Sequence, residues 1–317
     1  MPDDPPPSRP TDRDLILAYA TGSRFEDFYR FIASARRCCP PGQVDVVVHV
    51  DALGGRFSRA AIELGVTLVP VENVWKWTRG STLLNRLVYA NLELTRRLSR
   101  GGPAAHREAF SRMHRRLSAD WIFPQAGRWL ALHRFLEVNS AYRFVLGTDV
   151  RDVAFQANPF EGLALGVLHT FEQAGIRYGE DNLDTRWYTN IYRQPPPPGR
   201  LAGRPALCCG TVLGEYPAFM ELMDRWSPEI ARFPRAAIEQ AMFNEVVSRD
   251  LDPSRVVRHD LTSGPVLTLC GDHEGSWTIR DDLVVASGRP VPVIHMYDRV
   301  PEVNDLIVRT IPVPDGD

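Results

Sequence analysis

The sequence has 317 residues, of which 44% are hydrophobic and 24% are charged. These proportions exclude a disordered chain, a collagen-like fibre and a small disulfide scaffold. The formal net charge is −2, so the chain as a whole has no electrostatic attraction to nucleic acid or to an acidic membrane. Only Lys76 is a lysine and 36 residues are arginine, so an arginine needs positional support before a function is assigned to it.

The cysteines and the N-terminus bear on the compartment. Four of the five cysteines form two adjacent pairs, at 38–39 and 208–209, and no C-x-x-C spacing occurs. This usage favours neither a disulfide framework nor a structural zinc site, and it indicates a reducing compartment. Residues 1–13 are acidic and proline-rich, so we expect a disordered tail and not a signal peptide. No apolar run reaches the ~18 residues that span a bilayer, and the expected location is the cytoplasm.

The first 70 residues alternate between strand and helix patterns. Continuous apolar runs predict strands at 15–20, 44–50 and 66–70, while helical spacing predicts helices at 25–37 and 58–64. Strands without polar interruptions are typical of a sheet that is covered on both faces. The sequence therefore predicts an α/β fold with a mainly parallel central sheet flanked by helices.

The remainder of the chain is less regular. Helices are predicted at 81–100, 104–117, 129–138, 218–226 and 236–248, and strands at 142–147, 206–213 and 291–295, with a strand pair or a strand-turn element at 162–171. Residues 179–203 contain four consecutive prolines and are predicted to be a long loop, a length that usually accompanies function or motion. The arginine-rich helix at 104–117 is interpreted as a solvated helix first and as a phosphate-binding patch second.

An acidic turn follows the strand at 142–147. Asp149, Arg151 and Asp152 stand there, and parallel sheets bind ligands beyond the carboxyl ends of their strands. Two carboxylates at such a place can ligate a divalent cation that bridges phosphate oxygens. The alternative is a simple turn in which an aspartate caps a helix and the arginine pairs with an aspartate. An isolated D-x-x-D does not decide between the two.

Several familiar catalytic motifs are absent from the sequence. There is no G-x-x-x-x-G-K-[ST] loop, no G-x-G-x-x-G after the first strand and no G-x-S-x-G turn. These absences weaken the P-loop NTPase, dehydrogenase and α/β-hydrolase interpretations.

Four pieces of the sequence together resemble GT-A-fold glycosyltransferases. The run DVRDVAFQ at 149–156 is similar to a D-x-R-D-V-x-F-Q signature, and CGTVLG at 209–214 is similar to an S-G-x-x-L-G strand. Glu239 and Gln240 begin a piece similar to D-Q-A-x-x-N, and HMYDR at 295–299 is similar to H-Q-Y-D-R. The resemblance implies one GT-A-like domain over residues 14–311, with a nucleotide-binding half at 14–152 and an acceptor-binding half at 153–311.

The resemblance also implies which residues hold a metal ion. Asp149, Asp152 and His295 would be its ligands, although the spacing departs from a plain D-x-D. A histidine beside two carboxylates suits Mn²⁺ better than Ca²⁺, so Mn²⁺ or Mg²⁺ is the expected ion. A buried histidine that closes a strand is the structural alternative for His295.

A second set of residues is expected to contact the substrates. Thr21, Gly22 and Asp51 follow the first two strands and are expected to lie against the nucleotide. Arg128 stands where GT-A relatives often have an arginine near the donor phosphates, and a guanidinium can make bidentate phosphate contacts. Asp149 and Arg151 are also expected to contact the donor. Trp75, Trp77 and Arg79 could stack on a sugar or base or could simply pack.

Catalysis is expected at Glu239 and Gln240. Glu239 stands where the family has aspartate, so its carboxylate reaches one methylene further. Cys209 stands where the family has a small hydroxyl residue, and a thiol donates only a weak hydrogen bond. The acceptor is expected to enter between residues 179–203, 208–214 and 239–240.

The resemblance therefore implies a glycosyltransferase with a nucleotide-diphosphate sugar as donor, UDP-linked first of all, and a small molecule or glycan as acceptor. The departures leave open a GT-A-like binding or scaffold protein without transfer activity. A nucleotidyltransferase is a second enzyme alternative, weakened because residues 21–24 only faintly match the glycine-rich loop that such enzymes use.

Overall fold

The central element of the computed structural model is a mixed sheet covered by helices on both faces. The structure describes residues 12–51, 54–71, 121–234, 236, 238–271 and 274–314, with single positions and short runs between 87 and 118. The strands are β1 (Asp14–Tyr19), β2 (Val44–Val50), β3 (Thr67–Pro70), β4 (Phe144–Asp149), β5 (Val153–Phe155), β6 (Leu168–Arg177), β7 (Pro205–Glu215), β8 (Val256–His259), β9 (Val266–Thr268), β10 (Thr278–Arg280), β11 (Leu283–Ala286), β12 (Arg289–Pro290) and β13 (Val293–His295). The helices are α1 (Phe25–Cys38), α2 (Arg56–Glu63), α3 (Pro124–Val138), α4 (Leu183–Tyr192), α5 (Tyr216–Arg232), α6 (Gln240–Arg249) and α7 (Pro301–Thr310), with 3₁₀ turns at Pro253–Arg255 and Tyr297–Arg299.

The seven-stranded sheet has the order β3-β2-β1-β4-β7-β6-β8. Strands β1 to β4 are mutually parallel, and β7 runs antiparallel to both of its neighbours, β4 and β6. The prediction of a mainly parallel central sheet is confirmed. Because β1, β2 and β4 are parallel, their carboxyl ends share one edge of the sheet, where Tyr19, His49 and Asp149 stand level.

Two apolar cores lie on the two faces of this sheet. One contains the inward residues of α1 and α2, including Phe28 and Phe31, and the other contains those of α3, α5 and α6, including Trp129 and Trp226. Residues alternate between the cores along each strand: Val145 belongs to the second and Leu146 to the first. This placement explains the uninterrupted apolar runs of the sequence.

A small three-stranded sheet brings distant parts of the chain together. Its order is β5-β13-β9, with β13 antiparallel to β5 and parallel to β9. His295 is paired in register with Val153, the residue after Asp152. This pairing places the end of β13 beside the acidic turn that follows β4.

The structure corrects several predicted elements. The segment 179–203, predicted as a loop, contains α4. Of the two alternatives for 162–171, the structure has the strand-turn element, in which a turn precedes β6, and β6 runs on to Arg177. The helix predicted from residue 236 begins at Gln240, and β13 begins at residue 293 and not at 291. The strands β5 and β8 to β12 and the helix α7 were not predicted. Within the described residues, no helix is both long and apolar enough to cross a membrane.

Candidate functional site: an Asp-Asp-His cluster at the sheet edge

Three potential metal ligands converge where β4 ends. Asp149 closes β4, Asp152 lies in the following turn, and His295 closes β13. The β5–β13 pairing brings His295 to this turn across 143 residues of sequence. A backbone hydrogen bond of 3.3 Å from the Tyr297 N–H to the Asp152 carbonyl fixes the approach.

The ligand atoms of this cluster are spaced for a single cation. His295 Nε2 lies 3.8 Å from Asp149 Oδ2 and 3.9 Å from Asp152 Oδ1, and one atom from each residue lies within 4.8 Å of the other two. Two bonds of about 2.1 Å, typical of Mg²⁺, separate their ligand atoms by at most about 4.2 Å, so small side-chain rotations suffice. His295 Nε2 and Asp152 Oδ1 are buried and have no hydrogen-bond partner among the described residues. Buried polar atoms normally have a partner, so these two fit a bound cation.

Gly210 on β7 has no side chain, and this leaves open the space beside the cluster. A Cβ atom at this position would lie 2.5 Å from His295 Cε1 and 2.7 Å from both His295 Nε2 and Asp149 Oδ2. These separations are below van der Waals contact, and no positive φ is required of Gly210. The absence of a side chain at Gly210 therefore keeps the volume between two of the ligands open.

Arg128 connects this cluster to the start of α6. Its guanidinium forms an ion pair with Asp149 Oδ1 and a second one, of 2.8 Å, with Glu239 Oε1. Arg128 and Glu239 are both buried, Glu239 completely. Burial raises the pKa of the Glu239 carboxyl, and the charge of Arg128 opposes this rise. Since Arg128 takes Oδ1 of Asp149, Oδ2 is the oxygen that faces His295.

Gln240 belongs to a second buried polar network. Its side-chain amide donates to Asp184 Oδ1 on α4, and its carbonyl oxygen accepts a 3.5 Å hydrogen bond from the Cys209 N–H. Gln173 on β6 also donates to Asp184 Oδ1, at 3.4 Å. Burial raises the pKa of the Asp184 carboxyl. Both ends of the Gln240 amide are thus used within the protein.

The two adjacent cysteines of β7 have different neighbours. Cys208 Sγ lies 3.8 Å from His295 Nδ1, the ring nitrogen that points away from the cluster, and Cys209 Sγ lies 3.5 Å from Glu239 Oε1. A histidine that ligates through Nε2 carries its proton on Nδ1, and a sulfur can accept that N–H weakly. Burial raises the pKa of Cys209 far above its usual value, so this residue is a neutral thiol.

The residues predicted to contact the nucleotide stand at the same edge of the sheet. The backbone N–H of Gly22 donates a 3.1 Å hydrogen bond to Asp51 Oδ1, which joins the turns after β1 and β2. Gly22 has a φ of +67°, in the region that favours glycine. Thr21 is half-buried beside it. The structure thus brings Thr21, Gly22 and Asp51 together.

Arg151 lies apart from the cluster's interior. Its exposed guanidinium forms a 2.9 Å ion pair with Asp298, in the 3₁₀ turn after β13. The pair joins the 149–156 and 295–299 pieces of sequence a second time. Burial and hydrogen bonding place Arg128, and not Arg151, against the cluster. The predicted positions Trp75, Trp77 and Arg79 lie outside the described residues.

Sequence reasoning missed Asp184, Gly210 and Cys208 as members of the site. A signal for Asp184 existed: Asn182 caps α4 by accepting a 2.9 Å hydrogen bond from the Thr185 N–H, and asparagine is a favoured helix N-cap. Proline-rich flanks hid that helix. Cys208 and Gly210 lie in a segment that the sequence analysis placed near the acceptor, but their contacts with the cluster could not be predicted, because they are made with His295, which is distant in sequence.

Comparison with known proteins adds no assignment. Neither a model of a known protein family nor a curated protein matches this sequence.

Proposed function

We propose that the protein is a divalent-metal-dependent glycosyltransferase that takes its sugar from a nucleotide-diphosphate donor. The observation that carries the proposal is the cluster of Asp149, Asp152 and His295 at the carboxyl edge of the central sheet, where two buried ligand atoms have no hydrogen-bond partner among the described residues. Ligands of α/β proteins bind at this edge. The nature of the ligands, two carboxylates and an imidazole, favours Mn²⁺ or Mg²⁺.

The meeting of the four glycosyltransferase-like sequence pieces supports the proposal. Residues 149–156 and 295–299 are joined by the β5–β13 pairing, while 209–214 contributes Gly210 and 239–244 contributes Glu239. Pieces that are far apart in the sequence therefore surround one site. An α/β fold whose central sheet is mainly parallel is compatible with a GT-A-like fold.

The proposed roles follow from the contacts of each side chain. A bound cation would neutralise the negative charge that develops on the diphosphate as the sugar departs. Asp149, Asp152 and His295 would hold that cation. The turn of Thr21 and Gly22, fastened to Asp51, would contact the nucleotide. The acceptor would approach past α4, whose first turn carries Asp184.

Glu239 is the remaining carboxylate of the site. Its Oε1 accepts from Arg128, whereas its Oε2 is buried without a hydrogen-bond partner in the described part of the chain. A hydroxyl of the donor sugar or the acceptor that reached Oε2 would supply the missing partner. This is the contact that we propose for Glu239, with Arg128 holding the carboxylate in position.

The test is a thermal-shift screen of UDP-, GDP- and dTDP-sugars with Mn²⁺ and with EDTA. A ligand at 100 times its dissociation constant stabilises the folded state by about 2.7 kcal/mol, which is a shift of several degrees. We expect one nucleotide class to raise the melting temperature only when Mn²⁺ is present. Asp152→Asn should abolish that shift, because it removes a charged ligand.

The matched control is Asp305→Asn, the same substitution at an exposed position of α7. It should retain the full metal-dependent shift. If no nucleotide stabilises the wild-type protein in Mn²⁺, or if Asp152→Asn behaves like Asp305→Asn, the proposed site is wrong.

A metal-binding GT-A-like protein without transfer activity is the second candidate. The complete burial of Glu239 in its ion pair with Arg128 favours it, since this carboxylate is then not exposed to an acceptor. Incubation of the stabilising nucleotide sugar with Mn²⁺ distinguishes the two candidates. Release of free nucleotide, measured by chromatography with and without a panel of hydroxyl acceptors, supports the enzyme, and its absence supports the binding protein.

A further inference from the structure

A cavity of about 650 Å³ lies between the edge of the central sheet and the small strands β9, β11 and β12. Its walls include residues of β6 and β8 on one side and of β9 to β12 on the other. Among the described residues, its lining includes none of Asp149, Asp152 and His295, so this second cavity is separate from the metal cluster. Small-molecule sites have volumes of about 300–1,000 Å³, and the second cavity is large enough to be one.

The turn after β8 forms a fixed part of the wall. Asp260 Oδ1 accepts hydrogen bonds from the Thr262 N–H at 2.8 Å and from the Thr262 hydroxyl at 2.9 Å. Gly264 has a φ of +83°, and a Cβ atom there would lie 2.4 Å from His259 Cγ. The turn therefore packs directly on the His259 ring, and this side of the second cavity is formed before any ligand arrives.

Two histidines stand together in the wall of the second cavity. His169 Nδ1 and His259 Nε2 share a 2.9 Å hydrogen bond, and their rings are nearly parallel, at 12°. Burial lowers the pKa of both imidazoles, that of His169 to about 4, so both are neutral near pH 7. His169 is only 5% exposed, and its Nε2 is buried without a hydrogen-bond partner among the described residues.

The state of this buried nitrogen depends on which histidine donates to the other. If His169 Nδ1 donates, Nε2 is an acceptor, and if His259 Nε2 donates, His169 Nε2 is a donor. A hydroxyl group can both donate and accept, so it can pair with the His169 ring in either tautomer.

The charged groups of the second cavity balance each other. Glu161 and Arg289 both line it and are exposed, and the side chain of neither forms a hydrogen bond or an ion pair within the described ranges. With both histidines neutral, the described lining carries one negative and one positive charge. A ligand with a net charge would be attracted by one of these groups and repelled by the other.

Much of the remaining wall is aliphatic, and it includes Leu163, Leu261, Val266, Pro265 and Pro290. A purely apolar ligand would cover these side chains but would leave the buried imidazole nitrogen unpaired, which is unfavourable. The ligand must therefore present C–H surface and several hydroxyl groups, without net charge.

We propose that the second cavity binds an uncharged sugar. Its hydroxyl groups would donate to the Glu161 carboxylate, accept from the Arg289 guanidinium and pair with the His169 ring. Its C–H faces would pack on the aliphatic wall. This inference does not depend on the proposed transferase activity, because the described lining includes none of the residues to which that activity is assigned.

The test is nuclear magnetic resonance of the full-length protein, labelled with nitrogen-15 histidine and titrated with D-glucose, D-galactose and maltose in EDTA. We expect the ring nitrogen signals of His169 to shift and saturate with at least one sugar, with a dissociation constant on the order of 1 mM for a ligand of about 12 non-hydrogen atoms. Because EDTA removes metal ions and no nucleotide is added, the result is separate from that of the nucleotide screen.

The variants Glu161→Ala and Arg289→Ala should each weaken sugar binding about tenfold, the loss expected for one hydrogen bond to a charged group. The matched control is Arg280→Ala, the same change at an exposed arginine on β10, in the same small sheet as Arg289 but outside the described lining. It should bind sugar like the wild type, and circular dichroism should show that all variants are folded.

Two results would overturn the proposal. The first is the absence of a saturating shift at His169 with any of the sugars, or equal dissociation constants for Arg289→Ala and Arg280→Ala. The second is a saturating shift with L-leucine in place of the sugars, which would assign the second cavity to a zwitterionic ligand.

Discussion

Gly210→Ala is the smallest change that tests the cluster of Asp149, Asp152 and His295. The new Cβ would lie 2.7 Å from Asp149 Oδ2 and from His295 Nε2, the two atoms that a cation would have to share. The methyl group would therefore occupy the space that a cation needs between them. The backbone of Gly210 has no positive φ, so the substitution adds crowding and no backbone strain.

The expected effect is a loss of metal affinity that exceeds the loss of stability. Overpacking by one methyl group costs about 1–3 kcal/mol of folding free energy. A cation that loses contact with two of its three protein ligands should bind at least 100-fold more weakly, which corresponds to about 2.7 kcal/mol. The protein should remain folded while Mn²⁺ binding falls.

The measurement is isothermal titration calorimetry with Mn²⁺ on the wild type and on Gly210→Ala. Gly214→Ala is the matched control, because Gly214 lies on the same strand but away from the cluster. Its new Cβ would lie 3.1 Å from Leu168 Cδ1, so this variant is also crowded. We expect wild-type affinity in the control. Wild-type affinity in a folded Gly210→Ala protein would refute the assignment of the cluster as a metal site.

Two further predictions concern buried ionisable side chains. Arg128→Met should lower the free energy of unfolding by about 3–5 kcal/mol in urea denaturation, because Glu239 is left buried without its partner. Adding Glu239→Gln to this variant should recover part of the loss. An Arg128→Met protein as stable as the wild type would contradict the buried ion pair. Burial lowers the pKa of His49 from 6.5 to about 4. As the pH falls, the unfolded chain therefore binds a proton at His49 before the folded protein does. The stability that is present above pH 6.5 is lost as the pH falls toward 4, and His49 accounts for about 3 kcal/mol of this loss. Urea titrations at pH 7 and pH 4.5 should show a smaller acid loss in His49→Gln, and equal losses in both proteins would show that His49 is not the group responsible.

The local pattern of the sequence was sufficient for the elements of the first 70 residues. Apolar runs and helical spacing predicted β1 to β3 with α1 and α2 to within two residues at each end. Strands β1 and β2 are almost entirely buried, and α1 and α2 each bury one side, so their local hydrophobic patterns are clear. The same reasoning failed for β5 and for β8 to β12. Strands of two to four residues carry too few positions to establish a period, and they form only because partners from elsewhere in the chain align with them.

The residue types of the candidate site were also available from the sequence. Asp149 and Asp152 follow a buried strand, and the family resemblance added His295. Their placement around one volume was not available, since it depends on the pairing of β5 with β13 and on a glycine in β7.

Only the tertiary structure decided the partners of the buried charges. Arg128 and Glu239, 111 residues apart, were predicted separately as a phosphate contact and a catalytic group, and the fold joins them in one ion pair. Helix α4, predicted as a loop, instead supplies Asp184 to hold Gln240. The physical reason is that a side chain's environment is set by the packing of helices and strands against each other. Local sequence determines which face of a segment is buried, and long-range packing determines which charged groups meet there.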